Sequence, residues 1–216
     1  YIISVCGLYM LINKILGLLF HKLLAIELYE ERKLKIRPWI FAVAVFGICI
    51  LCWLPYFLAY YPGIITDDAE WQLAQAIGLR SYSNHQPWIH TMLHRLFYSL
   101  GFSLFHTPNA GVAACVIAQM CVMAGSYAYL LMTFYKEKLH KYFIFGCLLF
   151  FAVIPFNAVY AVTLWKDVLL GAVVLLFSLS IWKIIRKSEA GKGAGDYVLF
   201  GITGVLLCIL RSNGYY

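Results

Sequence analysis

Charge is what this chain has least of. Asp, Glu, Lys and Arg make up 12% of its 216 residues and apolar residues 63%, whereas a water-soluble domain carries about a quarter charged residues. That balance excludes a soluble globular fold and predicts an integral membrane protein. No internal repeat and no coiled-coil heptad is visible. No basic n-region or small-residue cleavage site marks residues 1–20 as a signal peptide. The chain lacks an initiator Met and its last apolar run is short, so a piece of a longer protein is expected. All seven cysteines (Cys6, Cys49, Cys52, Cys115, Cys121, Cys147 and Cys208) lie in apolar runs, so no disulfide framework is implied. Cys49 and Cys52 form a C-x-x-C inside such a run, where thiols behave as small hydrophobes.

Long hydrophobic runs are abundant. A spanning helix needs about 20 apolar residues, and such runs lie near 1–20, 39–59, 110–134, 142–164 and 167–185, with a shorter one at 197–210. The expected architecture is a single all-α, polytopic transmembrane domain. The net charge of +7 comes from basic residues in three connections: Lys22, Arg32, Lys33, Lys35 and Arg37; Lys136, Lys138 and Lys141; and Lys183, Arg186, Lys187 and Lys192. These connections alternate with the others, so the positive-inside rule assigns them to the cytoplasm and residues 60–109 to the opposite side. Anionic lipid accounts for such residues, and no nucleic-acid partner is implied.

The interval 60–109 holds Asp67, Asp68, Glu70, His85, His90, His94 and Arg95. Two amphipathic helices fit it. The first, Asp68 to Ile77, places Asp68, Gln72 and Gln75 on a wet face and Ala69, Leu73, Ala76 and Ile77 on a greasy one. The second starts at Pro87 and ends near Gly101. Its apolar stripe is Ile89, Leu93, Phe97 and Leu100, and His90, His94 and Tyr98 recur at i, i+4 and i+8. Both are too short and polar to span, so they are expected to lie along the membrane surface.

Asp67 with Glu70 three residues on is the pattern of an N-capping box, or Asp67 is a second catalytic carboxylate. Asp68 is not needed for a cap, and an acid kept beside a bilayer points to function. His90 and His94 have the spacing of two zinc ligands on one helical face. Thr91 and Met92 stand where H-E-x-x-H would need its glutamate nearby, so no metal site is expected and a membrane zinc hydrolase is the lesser alternative. Lys166-Asp167 and Arg211-Ser212-Asn213-Gly214 fall on the same side as Asp68. They read either as a neutralising pair and a membrane anchor, or as groups that hold an anionic substrate while a hydroxyl is deprotonated.

The segments Tyr61-Pro62-Gly63-Ile64-Ile65-Thr66-Asp67-Asp68 and Asn84-His85-Gln86-Pro87-Trp88-Ile89-His90-Thr91 resemble a bacterial group of multi-spanning proteins related to the GT-C class of glycosyltransferases. The resemblance covers roughly residues 55–216. It implies a GT-C-like fold with two surface helices in a long extracytoplasmic loop, and transfer of a sugar from a polyprenyl-phosphate donor at the outer face of the bacterial cytoplasmic membrane. It implies Asp68 as general base, sometimes with a divalent cation (Mg or Mn). Glu70, Gln72, His85, His90, His94, Arg95, Lys166, Asp167, Arg211 and Asn213 become candidate substrate contacts, and membrane lipid and a lipid-linked sugar the partners. Near neutral pH an ordinary Asp is a weak base, so partial burial of Asp68 is expected to strengthen it. The competing class is a transporter or flippase for a lipid-linked glycan. That class calls for charges in mid-span, where this chain has only Asn13 and Lys14 as polar exceptions.

Overall fold

The computed structural model describes residues 7, 9–17, 29, 35–83, 87–186 and 194–210. Among the described residues the protein is helical, with one two-stranded sheet and an isolated bridge between Tyr29 and Leu139. In chain order the elements are α1 (residues 9–17), α2 (Pro38–Ala59), β1 (Ile64–Ile65), α3 (Asp67–Ala76), α4 (Trp88–Phe105), α5 (Pro108–Lys136), α6 (Lys141–Val153), α7 (Pro155–Val162), β2 (Thr163–Leu164), α8 (Lys166–Arg186) and α9 (Ala194–Leu210).

Three of these helices, α2, α5 and α8, are long and apolar enough to cross a membrane, and the bent pair α6–α7 makes a fourth if counted as one span. This is a helical membrane protein. The expected spans at 39–59, 110–134 and 167–185 each correspond to one of the three within two residues. The run 197–210 is a 17-residue helix that begins at Ala194, and most of residues 1–20 lie outside the described set.

The run 142–164 is not one helix. It bends by 48° at Ile154, because Pro155 has no N–H to donate and disfavours helical backbone in the residue before it. Ile154 is accordingly extended, at φ −64° and ψ 123°. The break strips Phe151 of the N–H that position 155 would have supplied, and the indole N–H of buried Trp53 donates to that carbonyl at 3.3 Å. Asn157 donates through Nδ2 to the neighbouring Phe150 carbonyl at 2.8 Å. Buried carbonyls left unpaired are costly, and both are matched.

The central element is α5, which packs against α2, α4, α6, α7, α8 and β2. Over its most apolar window 56% of residues are buried, against 22% in α2 and 28% in α8. Its first half receives α4 as an antiparallel neighbour, close enough that Gly101 sits on the Ala110 backbone. A Cβ at Gly101 would lie 2.3 Å from the Ala110 carbonyl oxygen and 2.7 Å from the Ala114 Cβ. Gly63 is constrained by both space and backbone: its φ is +140°, and a Cβ there would meet Val116 Cγ2 at 2.5 Å. The turn Tyr61-Pro62-Gly63 thereby delivers β1 beside β2, with Ile64 opposite Thr163 and Ile65 opposite Leu164 in parallel register.

The Gly101 contact yields a prediction. Gly101→Ala forces the α4–α5 pair apart because its nearest obstacle is backbone, and it should cost about 1–3 kcal/mol, the usual penalty of overpacking. Thermal unfolding of the purified protein in detergent should shift downward, whereas Gly125→Ala, with nothing within 4 Å of its Cβ position, should not. Equal melting of both variants would contradict the packing described.

Candidate functional site

The two-residue strand pairing does for the site what no single helix does: it fastens the chain just before α3 to the chain just before α8. Thr66 follows β1 and caps α3, its Oγ1 accepting the Ala69 N–H at 3.4 Å. The expected capping box with Asp67 as cap does not form; Thr66, a hydroxyl with extended backbone, is the cap, Asp67 is the first helical residue, and Ala69 stands three residues after the cap where a box needs Glu or Gln. Asp68 projects from this first turn and Lys166 opens α8. Lys166 Nζ donates to Asp68 Oδ2 at 3.1 Å, joining residues 98 positions apart. The Lys166 side chain is 19% exposed and that of Asp68 53%. Asp68 is half-exposed rather than partly buried as expected, and its immediate neighbour is an ammonium.

One helical turn below Asp68, the two amphipathic helices meet with their polar faces together. Gln72 is buried, not on a wet face as periodicity suggested, and so is Gln75. Gln75 Nε2 donates to the Ser81 carbonyl at 3.2 Å and Ser83 Oγ at 3.1 Å, tying down the connection to α4. Ile77, placed on the greasy face, is exposed. The rest of that face, Ala69, Leu73 and Ala76, is buried as expected. In α4 the polar face is the buried one: His90, Thr91 and His94 are buried, Leu93 and Phe97 only partly so, and Trp88, Leu96 and Leu100 are exposed. The helix runs to Phe105, past the expected end at Gly101, and His106 closes it in the left-handed conformation. Where the surroundings are apolar, amides and imidazoles lower their energy by pairing inside the protein, and apolar side chains have no reason to hide.

Hydrogen bonds in this buried group fix a proton. The Pro87 carbonyl accepts from Thr91 Oγ1 at 3.2 Å, and Thr91 Oγ1 accepts from Gln72 Nε2 at 3.0 Å. The Gln72 amide is thus oriented with Oε1 toward His90 Nδ1, 2.8 Å away. An amide oxygen only accepts, so His90 carries its proton on Nδ1 and keeps a lone pair on Nε2. The His94 ring lies with its centroid 4.4 Å from that of His90, and its buried Nδ1 has no hydrogen-bond partner among the described residues.

Both histidines are neutral. Burial, then the neighbouring His94, then Lys166 push the His90 pKa down to about 3, and burial lowers that of His94 to about 4. They serve as single donors or acceptors, not as cations for a phosphate. A cavity of about 190 Å³ opens beside them, between α4, α5, β2 and α8.

The other candidates divide. Asp67 and Glu70 line a separate cleft with Trp71 and Arg80, where the Arg80 guanidinium stacks on the Trp71 ring at 3.4 Å. Arg95 is exposed and reaches Tyr82 OH at 3.5 Å, away from the Asp68 pair. Asp167 does not neutralise Lys166; its Oδ1 is buried with no hydrogen-bond partner among the described residues. His85, Arg211 and Asn213 lie outside the described residues. Among the described residues no three His, Cys, Asp or Glu side chains gather as metal ligands.

Sequence reasoning missed Gln119. This buried amide, placed mid-run in α5, donates from Nε2 toward the carbonyls of Tyr160, Ala161 and Thr163 at 3.3, 3.2 and 2.7 Å, and its Oε1 accepts the Trp165 N–H at 3.5 Å. It holds the segment that presents Lys166. A lone amide in an apolar run was the available signal.

The histidine shifts have a measurable consequence. An unfolded chain binds these protons near pH 6.5, the folded one near 3 and 4, so folding is favoured above pH 6.5 and loses stability as pH falls from there toward 4. Each histidine contributes up to about 1.4 kcal/mol per pH unit in that window. Melting in detergent should be level above pH 7 and fall between pH 6.5 and 5, where carboxylates are still ionised, and His94→Gln should shallow the fall. A melting temperature independent of pH from 7 to 5 would rule this out.

No curated protein and no solved structure matches the chain significantly. The sequence model of a family of unknown function, DUF6020, matches residues 80–216, more than half of the chain, and the protein belongs to that family.

Proposed function

We propose that the protein is a membrane glycosyltransferase that moves a sugar from a lipid-phosphate donor to an acceptor hydroxyl at the outer face of a bacterial cytoplasmic membrane. The observation that carries this reading is the Asp68–Lys166 ion pair. A carboxylate and an ammonium from distant parts of the chain are held at 3.1 Å beside a buried polar group, in a protein whose surface is otherwise largely apolar. The motif resemblance of residues 61–68 and 84–91 supplies the reaction class. The basic residues concentrated at 136–141 and 183–192 support the sidedness. An apolar groove of about 490 Å³, bordered by Phe57, Tyr61, Leu104, Phe105 and Ile117, supports a lipid-borne donor.

The pair suits the chemistry through exchange of partners. A donor phosphate competes for the Lys166 ammonium, which releases Asp68 to accept the proton of the acceptor hydroxyl. The acceptor oxygen then bonds to the anomeric carbon as the bond from that carbon to the phosphate oxygen breaks. The leaving lipid phosphate keeps the electron pair, and Lys166 balances its charge. Half-exposure of Asp68 lets an acceptor approach from water.

Asp68→Asn keeps the shape and removes the base. It should lower turnover by about 10²–10⁴-fold at matched abundance, measured as label transferred from a polyprenyl-phosphate sugar by membranes containing each variant. Asp67→Asn should do far less. The double exchange Asp68→Lys with Lys166→Asp restores an ion pair without restoring activity. Near-full activity in Asp68→Asn, or in the exchanged pair, would mean that the bridge is structural and the mechanism wrong.

Sidedness is tested separately. In a background with native cysteines replaced, a membrane-impermeant thiol reagent should label Ser81→Cys but not Lys138→Cys in intact cells. Labelling of Lys138→Cys alone would reverse the orientation.

A further inference from the structure

The cavity beside the histidines has a composition that selects its contents. Its walls are aliphatic and aromatic, with Leu93, Phe97 and Leu164 among them, interrupted by His90, His94, Cys115 and Gln119. Two of those four are committed. The Gln119 amide is engaged at both ends by the backbone of residues 160–165, and Cys115 Sγ donates to the His94 carbonyl at 3.4 Å. The imidazoles are not. His90 retains an acceptor lone pair on Nε2, because Gln72 takes its Nδ1 proton. His94 is only 5% exposed, yet its Nδ1 has no partner among the described residues. Leaving a buried polar atom unmatched costs free energy.

The geometry points to a binding site in this cavity for an uncharged amphiphile with a single hydroxyl head and a short apolar body. A hydroxyl both donates and accepts, so it answers an Nε2 lone pair on one ring and the unmatched Nδ1 of its neighbour in either tautomer, at a centroid distance of 4.4 Å. Anions are disfavoured because a lone pair and apolar walls face them. Water alone is a poor occupant: about 190 Å³ exceeds the space that a few waters with two to four polar partners each would fill, whereas an apolar void of about 150 Å³ accepts a benzene-sized molecule. The site does not depend on the transfer reaction, and binding reports on it directly.

The test is photolabelling of the purified full chain in detergent with a diazirine derivative of octan-1-ol, followed by peptide mapping. Adducts should concentrate on the segments 88–105 and 115–122, and excess octan-1-ol should suppress them while octane does not. His94→Leu removes the polar partner and should reduce these adducts about ten-fold, the scale of one lost hydrogen bond, while His94→Gln should retain most of them. Ala118→Phe, which fills the cavity and leaves both histidines in place, should abolish them. Equal competition by octane would reveal a plain apolar void, and absence of adducts from both segments a water-filled one. Either result, or unchanged labelling in His94→Leu or Ala118→Phe, overturns the assignment.

Discussion

Buried backbone must be hydrogen-bonded, and in this protein that constraint concentrates on one stretch, residues 150–165. Pro155 breaks the helix there, and the chain between α7 and α8 is extended rather than helical. A helix satisfies its own carbonyls along its length; the breaks at either end of α7 do not. Trp53 and Asn157 take the carbonyls freed at the break, Gln119 takes those at the end of α7, and β1 pairs with what remains. Each partner comes from a different element, so satisfying this one stretch draws α2, α5 and the 63–66 turn together. The site is a by-product of that settlement. Asp68 and Lys166 meet because the residues just ahead of them are strand partners.

The same environment explains why the polar faces of α3 and α4 are buried, in α3 alongside Ala69, Leu73 and Ala76. In water, an amphipathic helix hides its apolar stripe. Here the chain has too much apolar surface to hide, and the scarce polar side chains gain more from one another than the apolar ones gain from burial. Gln72, Thr91 and His90 accordingly form a directed chain that ends on the Pro87 carbonyl, and the apolar residues of α4 turn outward.

The sequence was most legible where one property acts alone. Apolar length located α2, α5 and α8. The positions of Asp68 and Lys166 were readable as candidates, but their contact was not, since it rests on a two-residue pairing with no alternation to betray it. Helical periodicity correctly put His90 and His94 on one face and misjudged where that face points, because periodicity records sidedness and not the polarity of the surroundings. The Asp67 cap was misassigned by one residue because Thr66 and Asp67 are both good caps and only backbone geometry separates them. The run 142–164 was counted as one span although Pro155 and Asn157 break it, since one Pro in a long apolar run is compatible with either a kink or a stop.

Gln119 carries a consequence for how the chain is put together. Synthesis proceeds from the N-terminus, so Ile64, Ile65 and Gln119 have all been made before residues 160–165 leave the ribosome. This segment, which draws most of its partners from elsewhere in the chain, is made after the groups able to receive it already exist. Were the order reversed, exposed carbonyls would have to wait for α5; in the order found here, the awkward stretch is received by a template laid down ahead of it.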